Sequence, residues 1–314
     1  MYSCNRREWL AAVAAAGAAA WVGMAQPGFS SPARGPFKGP LCMFSKHLPG
    51  MDWHRLGRAV KEAGFGGVDL TVRPGGHVVP ERAAEDMPRA ASAIREEGLD
   101  VPMITTGLLS ASEPAAKPIL ETAGRLQIPY FKPGYYRYEY KDVRRELAAA
   151  AAELAGLARL AASCGIVLGY HNHAGYLGAP VWDIMTAIDP LEPRWAGYYF
   201  DPRHAVAEGG EAGWRIATHL VLSRLKMIAV KDFYWEKRPG VGWQATNCPL
   251  GEGMVDWKAF FSLVAGSGFS GPVSLHLEYE IPGATTTAQE TNTLEAARRD
   301  LAYLKARLVE AYGG

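Results

Sequence analysis

Neither a charge excess nor a cysteine framework marks this sequence. Its 33 Lys and Arg balance 32 Asp and Glu to a formal net charge of +1. That balance removes the electrostatic case for nucleic acid or an anionic membrane as a partner. Cysteines number four. Cys4 falls in the N-terminal leader, and the widely spaced Cys42, Cys164 and Cys248 form neither a disulfide framework nor a CxxC metal knuckle. They read as buried small hydrophobes. The dinucleotide-binding glycine fingerprint is missing after the first predicted strand. Gly251-Glu252-Gly253 lacks the preceding strand and the following Lys-Ser/Thr of a phosphate loop, so it reads as a turn before a helix capped by Asp256.

Long apolar runs are also scarce, with one exception. Asn5-Arg6-Arg7-Glu8-Trp9-Leu10 precedes an apolar stretch over 11–22, and Gly23-Met24-Ala25 supplies small residues for cleavage. The stretch is short for a membrane span, which needs about 20 residues. It has the parts of a signal peptide, and the paired arginines resemble a twin-arginine export signal. The expected organisation is a leader over 1–25, a Pro/Gly/Ser-rich linker over 26–39 and one globular domain over 40–314. The expected location is the periplasm or outside the cell, with no stable membrane span after cleavage.

What is present is alternation. Short β-branched or apolar runs at 41–44, 67–72, 101–105, 128–131, 166–170, 196–200, 226–230 and 273–277 are separated by helix-period stretches. The clearest of these stretches are 53–63, 81–97, 143–163, 257–265 and 293–311. Alternation of this kind predicts parallel βαβ units. Eight such units in one chain predict an α/β fold, a closed (β/α)8 barrel in a single domain, with an open doubly wound sheet as the alternative.

A barrel of this type builds its active site at the C-terminal ends of its strands. Those positions carry Ser45, Lys46 and His47; Asp69, Arg73 and His77; Thr105 and Thr106; Lys132; His171, Asn172 and His173; Asp201, Arg203 and His204; Lys231 and Asp232; and His276, Glu278 and Glu280. Imidazole and carboxylate from several strands can converge on one divalent cation. Lys46, Arg73, His77, Lys132, His173 and His204 are the candidates for holding substrate.

In order and placement, Phe44-Ser45-Lys46-His47, Gly67-Val68-Asp69-Leu70, Tyr170-His171-Asn172-His173, Phe200-Asp201-Pro202-Arg203-His204, Val230-Lys231-Asp232 and Leu277-Glu278-Tyr279 resemble the xylose-isomerase-like superfamily of sugar isomerases and epimerases. Its TIM barrel also serves endonuclease IV. The resemblance covers most of 40–310 and implies one divalent ion (Mn, Zn, Co, Ni or Fe) held by residues of the last four strands. Asp201 and Glu278 match two of the family's ligands. His171 stands where many members have a glutamate, and Ala229 stands where a strand-seven histidine is expected. The implied metal set is His171, Asp201 and Glu278, completed by His173 or another nearby group.

The implied chemistry is proton removal next to a carbonyl with a metal-stabilised enediolate, carried by Glu278, His171 and Lys231 on a small carbohydrate. If His171 binds metal through one nitrogen it cannot take a proton there, which favours a one-base reaction. A lyase or dehydratase acting on a 3-keto sugar or glycoside is therefore a second reading, and a non-catalytic carbohydrate-binding barrel a third.

Overall fold

The computed structural model of the protein describes residues 35–313. The expected leader over 1–25 lies outside the described residues, as does most of the linker. Eight of the strands are β1 (Leu41–Phe44), β2 (Gly67–Val72), β3 (Asp100–Thr106), β4 (Tyr130–Lys132), β5 (Val167–His171), β6 (Ala196–Phe200), β7 (Leu225–Val230) and β10 (Val273–Leu275). They are parallel and close into a barrel in the order β1-β10-β7-β6-β5-β4-β3-β2. Both faces of such strands are covered, so they read as continuous apolar runs without alternation. β2 and β6 accordingly bury every residue they contain.

The principal helices are α1 (Trp53–Glu62), α2 (Ala83–Glu96), α3 (Ala116–Arg125), α4 (Val143–Ser163), α5 (Met185–Ile188), α6 (Pro202–Val221), α7 (Trp257–Gly266) and α8 (Thr286–Tyr312). Their starts are chemically marked. Asp52, Asp142, Asp201 and Asp256 each accept a hydrogen bond from a backbone amide of the first turn of α1, α4, α6 and α7. The expected cap at Asp256 is thus present. Pro202 opens α6, where its missing N–H costs nothing. Among the described residues, no helix is long and apolar enough to cross a membrane.

Inside the barrel Met103, Tyr199, Met227 and Ala229 form a separate buried layer beneath the mouth. Gly169 makes room for it: a Cβ there would collide with the Met227 methyl. At the level of this apolar layer the barrel also buries Asp69 and Ser274.

One feature departs from the expected alternation. Directly after β7 the chain forms an antiparallel ribbon, β8 (Asp232–Arg238) with β9 (Gly242–Cys248), paired from Asp232↔Cys248 to Arg238↔Gly242. Its root is held by Asp232. That carboxylate accepts from Gly251 N at 3.0 Å, Val255 N at 3.3 Å and the Trp257 indole at 2.8 Å. Asp232 is thereby a structural hub, and Trp257 is a core residue.

Candidate active site

The C-terminal mouth holds a cavity of about 100 Å³. Its walls include Lys46, Arg73, Lys132, His171, His173, Lys231, His276 and Glu278. With Thr105, nine of the residues named from strand-end position thus share one cavity.

Behind the wall formed by His171 and Lys231 lies Asp201, which is fully buried. Its Oδ2 lies 3.1 Å from His171 Nε2, 3.2 Å from Lys231 Nζ and 3.6 Å from His204 Nε2. Its Oδ1 caps α6 by accepting from His204 N at 3.2 Å. One side chain therefore starts a helix and gathers three polar groups from β5, α6 and the end of β7. The other face of His171 is also engaged, since Nδ1 lies 2.8 Å from the Tyr135 hydroxyl. Both of its nitrogens are occupied.

His171, Asp201 and His204 form the one group among the described residues whose ligand atoms converge as a metal site requires, all within 4.8 Å of one another. This group shares His171 and Asp201 with the set expected from sequence. His204, expected to face substrate, lies inside the ligand-type group. Glu278 lies outside it, because both of its carboxylate oxygens face Lys46 Nζ at 3.2 Å on the outer side of the mouth. His173 stacks on the His204 ring at 3.9 Å and donates from Nδ1 to the Ala174 carbonyl, so it flanks the group without joining it.

His77 departs from expectation as well. Its ring nitrogens lie 3.3 Å from Thr71 Oγ1 and 3.2 Å from the Leu48 carbonyl, and it is not among the residues lining the cavity. The turn at Gly75-Gly76 directs the ring back onto its own loop and away from the mouth.

Burial governs the electrostatics. His171, His204 and His276 are held well below the ordinary imidazole value, first by desolvation and then by the Lys231 charge. His173 falls to about 4 for the same two reasons. Lys132 is pushed well below its usual range by burial and then by Arg73. Its ammonium lies 3.3 Å from the centroid of the Tyr135 ring, a cation–π contact. For Glu278, burial pulls upward, but Lys231 and Lys46 outweigh it and keep the carboxyl below its ordinary value. At neutral pH the site therefore combines neutral imidazoles with a carboxylate base.

Three contributors are absent from the strand-end reading of the sequence. Tyr135 follows β4 by three residues, beyond the strand end at Lys132. Tyr199 lies two residues before Asp201, so the two-residue period of a strand puts both on the inner face. Its hydroxyl lies 3.0 Å from His276 Nε2. Asn247 on β9 accepts from Arg203 at 3.1 and 2.8 Å and donates to the Glu278 carbonyl at 3.1 Å. The ribbon thereby clamps two strand ends.

With this geometry in hand, the comparisons with known proteins are specific. Residues 58–307 match the family described as xylose isomerase-like TIM barrel. The chain belongs to that family. Among solved structures it is similar to L-ribulose 3-epimerase (TM-score 0.62, 16% identity, 87% of this chain and 95% of the other). It is also similar to D-psicose 3-epimerase with D-tagatose from Clostridium cellulolyticum H10 (0.66, 13%, 86% and 99%). A third is a xylose isomerase-like TIM barrel protein from Mycobacterium smegmatis in complex with magnesium (0.60, 15%, 84% and 98%). At these identities the likeness is one of fold. No curated protein matches the chain by sequence.

Proposed function

We propose that this protein is a sugar isomerase or epimerase that moves a proton next to a carbonyl. The observation that carries the reading is the sharing of one mouth cavity by the carboxylate of Glu278 and four cationic side chains, Lys46, Arg73, Lys132 and Lys231. Glu278 is the proton acceptor at carbon. Lys231 and Lys46 face the same space and stabilise the negative charge that develops on the carbonyl oxygen. Lys132 and Arg73 hold hydroxyl groups. The sugar epimerases of the same fold support a carbohydrate substrate.

The residues fit one divalent ion, with two stated costs. Two imidazoles and a carboxylate form a donor set suited to borderline divalent metals. His204 Nε2 is a buried atom with no hydrogen-bond partner among the described residues, and it points toward Asp201. Against this, the Lys231 ammonium competes for the same Asp201 oxygen. Arg203 Nη1, a donor, also lies 3.0 Å from His204 Nδ1. A neutral His204 then carries its proton on Nε2, and that proton must leave before a metal binds. His171, Asp201 and His204 would hold the ion, which when bound supplies Lewis-acid polarisation of a carbonyl oxygen.

A lyase on a 3-keto sugar or glycoside is the second reading, favoured because Glu278 is the one carboxylate among the described residues that lines the cavity, and elimination needs a single base. The arginine-pair leader supports export to the periplasm or beyond. Incubating ketoses, aldoses and 3-keto glycosides in deuterated water, with and without added Mn²⁺ or Zn²⁺, separates the readings. Deuterium at the carbon next to the carbonyl together with a new isomer supports the first. Deuterium with loss of a leaving group supports the second. No exchange on any of them leaves a carbohydrate-binding barrel.

A further inference from the structure

The inference rests on the isomerase reading and concerns His276. This histidine follows β10, and its backbone amide donates to the Val230 carbonyl at 2.9 Å, which sets it beside the end of β7 and level with Lys231. The ring is buried and stacks on Phe44 at 4.4 Å. It stands on the strand that pairs with β7, where Ser274 is opposite Ala229, the position at which an imidazole is expected and is missing.

The contacts around the ring support one tautomer. The Tyr199 hydroxyl lies 3.5 Å from Asp69 Oδ2 and 3.0 Å from His276 Nε2. With its single proton assigned to the Asp69 carboxylate, Nε2–H of His276 donates to the Tyr199 oxygen. Asp69 is held in turn by Thr105 at 2.7 Å and Ser274 at 2.8 Å. The lone pair of His276 is therefore left on Nδ1. That atom is buried, has no hydrogen-bond partner among the described residues, and lies 3.9 Å from Glu278 Oε1. Two proton acceptors face each other at the cavity wall, and what fits between them is a donor.

We propose that His276 is a catalytic residue that carries the hydroxyl proton of the substrate between adjacent oxygens, while Glu278 carries the carbon-bound proton. In the aldose-to-ketose direction Glu278 takes the proton from C2. The C2–H electron pair forms the C1=C2 bond, and the carbonyl pair moves onto O1. His276 Nδ1 accepts the O2 proton and returns it to O1, C2=O forms, and Glu278 delivers its proton to C1. Atoms and electrons balance without a further reactant. Because both acceptors stand on one strand end, they address one face of the sugar, which selects aldose–ketose isomerisation over epimerisation. Tyr199 and Asp69 are positioning residues that set the His276 tautomer.

Two measurements on the full chain test this. The first needs no substrate: nitrogen NMR of the histidine side chains is expected to show His276 protonated on Nε2 and bare on Nδ1, with that preference lost in Tyr199→Phe. The opposite tautomer in the wild type overturns the proposal, even where no sugar has been found that exchanges and the isomerase reading itself has failed. The second uses any sugar that exchanges in deuterated water. His276→Asn is expected to lower isomer formation by about 100-fold or more while carbon exchange stays within about threefold, so the ratio of exchange to turnover rises. Tyr199→Phe moves the ratio the same way by less. Equal loss of both rates, or loss of neither, overturns the assignment, and a melting curve shows whether each variant is folded.

Discussion

The two sides of the barrel mouth are built differently. On the side of β5, β6 and β7, His171, Asp201, His204 and Lys231 are all buried, and three groups converge on one carboxylate oxygen. On the side of β10 and β1, Glu278 and Lys46 pair at the opening and His276 keeps a bare nitrogen beneath them. A buried group held against a shared carboxylate is costly to move and suited to holding, although His204 Nε2 there has no hydrogen-bond partner among the described residues. A group with an unfilled position that also lines the cavity, as His276 does and His204 does not, is suited to exchanging a proton with substrate. The closed side reads as a holding site and the open side as the place of chemistry.

Asp201→Asn breaks this contrast most severely. Asparagine keeps a side-chain oxygen that can cap α6, so the cap is retained while the charge is lost. The buried Lys231 ammonium is then left without its carboxylate, a situation that costs about 3–5 kcal/mol. Urea unfolding should show that loss, and equilibrium dialysis should show metal binding abolished. A cost under about 1 kcal/mol would mean that the Lys231 charge does not depend on Asp201.

On the open side the expected damage is to rate alone. Glu278→Gln should lower turnover by about 10²- to 10⁴-fold, the usual contribution of a positioned base. Its melting temperature should match that of the wild type, since the Lys46 pair it removes is partly exposed and surface pairs contribute little. A variant that retains activity would place the base elsewhere.

Lys231→Met sharpens the comparison by removing the cation that competes at Asp201. A divalent ion within a few ångströms of an ammonium is strongly repelled, so affinity for Mn²⁺ should rise by about tenfold or more. Calorimetric titration measures it. Unchanged affinity would show that the ammonium and the ion do not share the site.

Acidification tests the buried imidazoles of both sides together. His47 and His173 are lowered to about 4, and His171, His204 and His276 lie well below their ordinary value, each first through burial. The unfolded chain therefore binds protons near pH 6.5 that the folded chain refuses, and stability falls as pH drops from about 6.5 to about 4. Asp69, raised to about 6 by burial, acts in the opposite sense because its folded form takes a proton first. Asp183, Asp232 and Asp300 are raised by burial as well, but six imidazoles are lowered, His77 included. Imidazoles titrate in the unfolded chain over a higher pH range than carboxyls, so the net slope is loss of stability on acidification. A melting temperature that holds steady from about pH 7 to about pH 4.5 would contradict it.

The barrel was legible because its strands are apolar on both faces and the stretches between them carry helix periodicity, both local properties. The convergence of His171, Asp201 and Lys231 was legible because strand ends meet in a barrel regardless of sequence spacing. The roles of His204 and Glu278 were not. They depend on which way each side chain turns, Glu278 outward to Lys46 and His204 inward to Asp201, and no local pattern encodes that choice. The β8–β9 ribbon was missed although its signals are local. Phe233-Tyr234-Trp235 has strong strand propensity and Pro239-Gly240 marks a turn, but the expectation of a helix after every strand overrode them.

His77 gives the smallest expected effect and the cleanest check on where the mouth ends. Its polar neighbours are Thr71 at the end of β2 and Leu48 in the segment after β1, so a role in substrate binding would require both contacts to break. His77→Ala should leave KM within about twofold and cost about 1–2 kcal/mol of stability, the worth of one or two net hydrogen bonds. A large rise in KM with unchanged stability would mean that the loop reopens when sugar enters, and that the cavity wall extends beyond Arg73 to include this histidine.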